Sequence, residues 1–467
     1  MPDPFWDIQT KCSLRKLSKK DKIMSIFETK IDYKKVLANQ GNLVHLAIKA
    51  SAPKLESEQR KPVAFCVCLD RSGSMEGIKF QQALLACVGV VKNLRSDDLF
   101  ALTTFDNEAD VVVPLQKVSD KNQLISVIQK ISIGGCTNLG GGWCMARDEL
   151  DKAEPGIPRR MLLLSDGLVN RGVMHPEVLL SYAGGGLEQK EIRTSCLGFG
   201  DHYNEDLMTG MANASSGNFY DVDSAEKLPA VFEAELEGAL RISIQNLRVR
   251  VSKEDFCDTW RNLADLKRIR LPDGRRELCV GDLVSEEERS FALSLRVLPI
   301  PLASDGSQVA SLEGEKLISL EFVYDLMGEK EITTRREERL VRISATQNPE
   351  DIRIDESILP IVSAQKTGRA VRKAIERLDI QRYQEALEIL ERMLRELEDF
   401  NRPELVDDSI KAIESMIHNI RQGWEGTRGR KSARYSSRSL SRRSSKEYWS
   451  GKEDERPSFK DDPRVNE

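Results

Sequence analysis

Val63-Ala-Phe-Cys-Val-Cys-Leu-Asp-Arg-Ser-Gly-Ser-Met75 is the stretch whose reading decides the fold. Its first seven residues form a continuous apolar run, as expected of a strand covered on both faces. The run stops at Asp70-Arg-Ser-Gly-Ser74. A helical pattern then opens, with Leu84, Leu85, Val88, Val91 and Leu94 at helical spacing. A tight loop carrying one carboxylate and two hydroxyls at a strand's carboxyl end turns hard oxygen donors toward one point. Such donors suit an octahedral divalent cation such as Mg²⁺, with Mn²⁺ or Ca²⁺ as alternatives, and leave positions for water or a partner's group.

Working outward, strand-like and helix-like segments alternate from about 63 to 240. Strands are expected at 99–105, 110–114 (a short edge strand), 160–165, 192–199 and 219–222. Helices are expected at 121–131, 140–150 and 225–240, with a further one carrying Leu207 and Met211 and capped by Asn204. This alternation means an α/β fold with a largely parallel sheet. In open α/β sheets, ligands bind in the crevice outside the carboxyl ends of the strands. Asp70 and Asp166, the latter in Leu162-Leu-Leu-Ser-Asp-Gly167, both occupy such ends. Thr137 sits in the glycine-rich loop Gly134-Gly-Cys-Thr-Asn138, which can bend over the same crevice. Gly135, Asn138, Gly167 and His202 are the expected partner-binding rim.

These five oxygen-bearing residues, in this order, resemble the metal-ion-dependent adhesion site of a von Willebrand factor A (VWA) domain. The resemblance implies that Asp70, Ser72 and Ser74 form the first ligand loop, Thr137 the second and Asp166 the third, often acting through a water. It also implies a protein partner whose Asp or Glu carboxylate supplies the last ligand to the ion. From about 26 to 398 the layout is similar to bacterial VWA proteins of the calcium-activated-chloride-channel-like type. More distantly it resembles the inter-α-trypsin inhibitor heavy chains. The likeness rests on Leu69-Asp-Arg-Ser-Gly-Ser-Met-Glu-Gly77, Leu164-Ser-Asp-Gly-Leu-Val-Asn170 and Leu197-Gly-Phe-Gly-Asp201. No uninterrupted apolar run approaches the ~20 residues of a membrane helix, so a pore is not expected.

The fold class expected is therefore multidomain α/β plus β: a Rossmann-like VWA domain inserted in a β-sandwich, followed by a small helical domain and a disordered tail. Residues 1–25 are read as an N-terminal arm, 26–60 as the first part of the sandwich and 62–240 as the VWA domain. The second part of the sandwich follows at 241–346, the helical domain at 349–423 and the tail at 424–467. Period-two alternation in Ser290-Phe-Ala-Leu-Ser-Leu-Arg-Val297 marks the sandwich, with the VWA unit expected between its second and third strands. Leucines and isoleucines at steps of three and four mark the helices. The tail, with Arg428-Gly-Arg-Lys-Ser-Ala-Arg434 and further Ser/Arg runs, holds too little apolar surface to order itself.

Composition narrows the functional classes. A net charge of −5 over 467 residues does not advertise nucleic acid or anionic membrane. Nucleic acid remains an alternative partner only through the basic tail. Met1-Pro-Asp-Pro-Phe-Trp6 leads into a Lys-rich stretch with no secretory h-region, and nine cysteines without a Cys-x-x-Cys pair are expected as reduced thiols. A cytoplasmic, non-enzymatic binding protein is the expectation. An aspartyl-nucleophile phosphatase would want an acid at position 72, where Ser72 stands. The serine-hydrolase Gly-x-Ser-x-Gly and the metalloprotease His-Glu-x-x-His are both missing from the sequence. A metal-dependent hydrolase, with the ion activating water, is the remaining alternative.

Overall fold

The structure, a computed structural model, describes residues 26–55, 61–200, 202–264, 266–302, 314–327, 333–399 and 403–422. The expected N-terminal arm and Ser/Arg-rich tail lie outside the described residues. In chain order, β1 (Phe27–Ile31), β2 (Lys35–Leu37) and β3 (Asn42–Ser51) come first. The α/β unit follows with β4 (Ala64–Asp70), α1 (Ile78–Asn93), β5 (Leu99–Phe105), β6 (Ala109–Lys117), α2 (Lys121–Ile128) and α3 (Leu139–Asp151). It continues through β7 (Arg159–Ser165), α4 (Pro176–Lys190), β8 (Ile192–Phe199), α5 (Glu205–Ala214), β9 (Phe219–Val222) and α6 (Leu228–Leu240). Then come β10 (Ile242–Lys253), β11 (Cys257–Asn262), β12 (Lys267–Arg270), β13 (Arg276–Val284), β14 (Glu288–Val297), β15 (Glu315–Leu326) and β16 (Thr333–Thr346). Three helices, α7 (Leu359–Asp379), α8 (Tyr383–Glu398) and α9 (Asp407–Arg421), complete the described elements.

The α/β unit has strand order β6-β5-β4-β7-β8-β9, with β6 alone antiparallel to its neighbour. All seven residues of the central strand β4 are buried, which is why its sequence is apolar on both faces. β6 lies at the sheet edge as expected but runs to Lys117, past Pro114. An edge strand tolerates a proline because no ladder bond is needed on the outer side. α1 buries Phe80, Ala83, Cys87, Val90 and Val91 against one side of the sheet, while Trp143 of α3 packs on the other.

The remaining strands form a four-stranded sheet, β1-β3-β14-β11, and a six-stranded sheet, β12-β13-β10-β15-β16-β2. Both contain strands from either side of the α/β unit, and they share one apolar core. Phe27 stacks on Phe322 across it with ring centroids 4.1 Å apart. Sequence patterning counts two strands before the α/β unit; β2, three residues long and paired in parallel with β16, is a third. The first half of α7 packs Ile361 and Val362 on Ala47 and Ala292 of the four-stranded sheet, while Gln365 accepts the Ala292 amide at 2.9 Å. The α8 and α9 helices share a separate apolar cluster with the end of α7.

An ion cluster ties the α/β unit to the six-stranded sheet. Arg160 at the start of β7 and Arg193 at the start of β8 both donate to Asp282 of β13, Arg193 at 2.6 Å. Burial pushes the Asp282 carboxyl up, but the two guanidiniums outweigh it and hold its pKa below the usual carboxylate range. This cluster sits at the amino ends of the parallel strands. The opposite, carboxyl-end edge is left for ligand chemistry.

Candidate metal centre

β4 delivers Asp70 to the carboxyl edge with its side chain fully buried. One carboxylate oxygen, Oδ1, accepts the Ser72 amide at 2.8 Å, and Oδ2 accepts the Ser165 hydroxyl at 2.6 Å. Ser165 ends the neighbouring strand β7, so this bond ties the two strand ends together. Residues Gly73–Met75 make a single 3₁₀ turn that brings Ser72 Oγ to 3.1 Å from Ser74 Oγ. Ser74 Oγ in turn donates to Asp166 Oδ1 at 2.6 Å. The other oxygen of Asp166 accepts Lys79 Nζ at 2.9 Å, reaching over from the first turn of α1.

The loop holding Thr137 is clamped by backbone. Gly73 N–H donates to Gly135 O at 2.9 Å, Gly134 N–H to Arg71 O at 2.7 Å, and Asn138 N–H to Asp106 O at 2.9 Å. Thr137 N–H donates to Asn170 Oδ1 at 2.8 Å, joining this loop to the one after β7. Asn138 then caps α3 by accepting the Gly141 amide. The three loops meet at Gly167. A Cβ added there would lie 3.3 Å from Ser74 Oγ and 3.5 Å from Thr137 Oγ1. Both hydroxyls thus point at a corner that glycine leaves open.

Asp70, Ser72, Ser74 and Asp166 are therefore linked by a chain of hydrogen bonds, and Thr137 faces the same corner. Of the expected rim, Gly135, Asn138 and Gly167 belong to these loops. His202 does not join them. It is exposed and makes no hydrogen bond or ion pair with other described residues. Sequence patterning passes over Ser165, Lys79 and Asn170. Asn170 closes the motif that begins at Leu164 but carries no assigned role there, and Lys79 reads as an ordinary solvated residue of a helix's first turn.

Two carboxylates and three hydroxyls make a hard, oxygen-only donor set suited to Mg²⁺, Mn²⁺ or Ca²⁺. Among the described residues, no group of three or more His, Cys, Asp or Glu gathers as a metal cluster, and this site rests on two carboxylates and three hydroxyls instead. Thiolates are not on offer beneath the site, since burial pushes the Cys68 thiol up to about 12. Electrostatics point the same way. Burial raises the Asp70 pKa to about 6; hydrogen bonds from Ser165 and Ser72 oppose the rise, and the charge of Asp166 adds to it. A buried carboxylate still raised after accepting those bonds is short of positive charge, which a bound dication would supply.

Residues 65–234 match the von Willebrand factor type A domain family, and the chain carries a VWA domain there. Domains of this family are typically protein-interaction modules with a metal-ion-dependent adhesion site that binds a divalent metal. The chain is similar to a solved von Willebrand factor type A protein from Catenulispora acidiphila. That likeness has a TM-score of 0.66 at 15% identity and covers 90% of this chain and 96% of that one. The ArnB paralog VWA2 from Sulfolobus acidocaldarius is also similar, with a TM-score of 0.58 at 16% identity, covering 89% of this chain and 97% of that one. By sequence, uncharacterized protein sll0103 of Synechocystis is 22% identical over 349 residues, 70% of this chain and 78% of its own. Inter-alpha-trypsin inhibitor heavy chain H1 of Bos taurus is 27% identical over 203 residues, 41% of this chain. The match spans only 22% of that heavy chain's length. No helix among the described residues is long and apolar enough to cross a membrane.

Proposed function

We propose that this chain is a non-catalytic adaptor in which Asp70, Ser72, Ser74, Thr137 and Asp166 hold a divalent cation, Mg²⁺ foremost. A partner protein's Asp or Glu carboxylate is then bound at that ion. The observation that carries the reading is the shared corner at Gly167, where the Ser74 and Thr137 hydroxyls converge beside the Asp70–Asp166 pair. The ion would supply a charge that two protein carboxylates leave partly unsatisfied, which favours an anionic over a neutral ligand. A unit charge pair at about 4 Å is worth roughly 4 kcal/mol at an effective dielectric near 20.

The surface around this point supports a protein partner. Ile78, Leu168 and Met174, on the loops and helix start that carry Ser74, Asp166 and Lys79, are 64, 59 and 56% exposed. Apolar side chains set about a charged centre fit a protein interface whose core excludes water from one anchoring carboxylate. In this reading the two sheets, each built from strands before and after the α/β unit, act as one β-sandwich frame. The helices from 349 onward supply further docking surface, and the setting is cytoplasmic.

A pull-down from cell extract in Mg²⁺ tests the proposal, with intact protein compared against an Asp70→Ala, Ser72→Ala double variant and against EDTA. The account expects a set of partners lost in both comparisons. Identical partners under all three conditions would remove the metal from it.

A further inference from the structure

We infer that the two-sheet unit carries a second binding site, independent of the metal centre: a cationic groove that takes an extended acidic peptide. β11 and β12 are the end strands of the two sheets. An open groove of about 720 Å³ lies beside them, lined by Lys253, Trp260, Arg261, Arg268 and Arg276 among others. The core shared by the sheets would ordinarily finish in apolar side chains at such a border. Here β12 places arginines instead.

The register makes this explicit. Arg268 pairs with Leu278 and Arg270 with Arg276. Directly paired residues share a face of the sheet, and Leu278 is fully buried in the shared core. Arg268, Arg270 and Arg276 therefore stand on the core-facing side of the β12–β13 hairpin, at its open edge. Arg270 and Arg276 are like charges directly opposite each other, an unfavourable pairing. Among the described residues, no carboxylate lies within ion-pair distance of Arg261, Arg268, Arg270 or Arg276. Of the two carboxylates lining the groove, Asp273 is already held by Arg275 at 2.8 Å, which leaves Asp258. Arg276 lies over the Trp260 ring, 5.8 Å from its centroid, which presents the guanidinium in a fixed orientation.

Guanidinium forks left without partners are matched by carboxylates. End strands leave the backbone groups of their outer edges unpaired, so an extended segment can add there while alternate side chains reach the arginines. Single-stranded nucleic acid is the poorer match. Trp260, the aromatic side chain in the lining, is buried and covered by Arg276, leaving no open face for a base.

Fluorescence anisotropy with the full chain and a dye-labelled octapeptide of alternating Glu and Thr tests this. The peptide should bind saturably, and the double reversal Arg268→Glu, Arg276→Glu should weaken it by at least about tenfold. Reversing Lys117, exposed on the distant edge strand β6, should leave binding unchanged. Arg268→Gln, at an exposed residue outside any ion pair, guards against misfolding of the double variant and should cost about threefold. Binding should persist in EDTA and in Asp70→Ala, which separates this site from the metal centre. The inference is overturned if the Arg268 variants bind like wild type or Lys117→Glu weakens binding equally. Loss of binding in EDTA, or tighter binding of an equally charged oligonucleotide, would overturn it as well.

Discussion

Replacing Asp70 by asparagine separates what the metal centre does for binding from what it costs the fold. Asparagine is isosteric and can keep both contacts: its oxygen accepts the Ser72 amide and its amide group donates to Ser165 Oγ. Only the charge is lost. The Asp70 pKa rises from 3.8 to about 6. Between those values the folded protein binds more protons than the unfolded chain, so metal-free stability increases as pH falls through 6 toward 4. It declines as pH rises back. A shift of about two units corresponds to roughly 3 kcal/mol of destabilisation above pH 6. Without metal at pH 7.5, Asp70→Asn should therefore be more stable than wild type by up to about 3 kcal/mol, and the gap should close near pH 4. With Mg²⁺ at a hundredfold over its Kd, wild type should regain about 2.7 kcal/mol and the variant nothing. Urea unfolding followed by tryptophan fluorescence, with Trp143 and Trp260 buried in the two units, measures both. An asparagine variant clearly less stable than wild type in EDTA at pH 7.5 would refute the argument. So would wild-type stability in EDTA that is flat between pH 7.5 and 5.

Other perturbations follow from the same geometry. Lys79→Met removes the ammonium that shares Asp166, so divalent-ion affinity measured by calorimetry should rise by about fivefold, while metal-free stability should fall by about 1–3 kcal/mol because the buried Asp166 carboxylate loses its cation. Asp282→Asn strands two nearly buried guanidiniums between the α/β unit and the six-stranded sheet. It should lower unfolding free energy in urea by about 3–5 kcal/mol while leaving metal affinity near wild type. At Gly134 a Cβ would fall 2.7 Å or less from the Asp106 side chain, whose own residue anchors the Thr137 loop. Gly134→Ala should thus weaken metal binding by about tenfold for a stability loss of only about 1–3 kcal/mol.

The α/β unit was readable because its central strands are buried on both faces. An apolar run as short as Val63 to Leu69, ending on a carboxylate, suits a covered strand far better than a helix. The five candidate ligands stand out in the sequence because each follows a recognisable strand end or glycine-rich turn, and the fold brings their loops together at Gly167. What escaped depends on partners distant in sequence. Ser165 looks like the last residue of a strand until Asp70 is seen 2.6 Å away. Arg160, Arg193 and Asp282 look like surface charges until the fold places them together. β11, with its Cys257-Asp-Thr-Trp-Arg-Asn262 sequence, carries too few apolar residues to announce a strand; as an end strand it needs few. His202 follows a strand's carboxyl end, and its exposed side chain stands apart from the hydrogen-bonded loops.

The most direct test of the central claim is anomalous diffraction from crystals of the full chain grown with Mn²⁺. One strong manganese peak is expected among Asp70, Ser72, Ser74, Thr137 and Asp166, absent from crystals of the Asp70→Ala, Ser72→Ala variant. A peak elsewhere, or none at millimolar Mn²⁺, would contradict the reading of these side chains as a cation site.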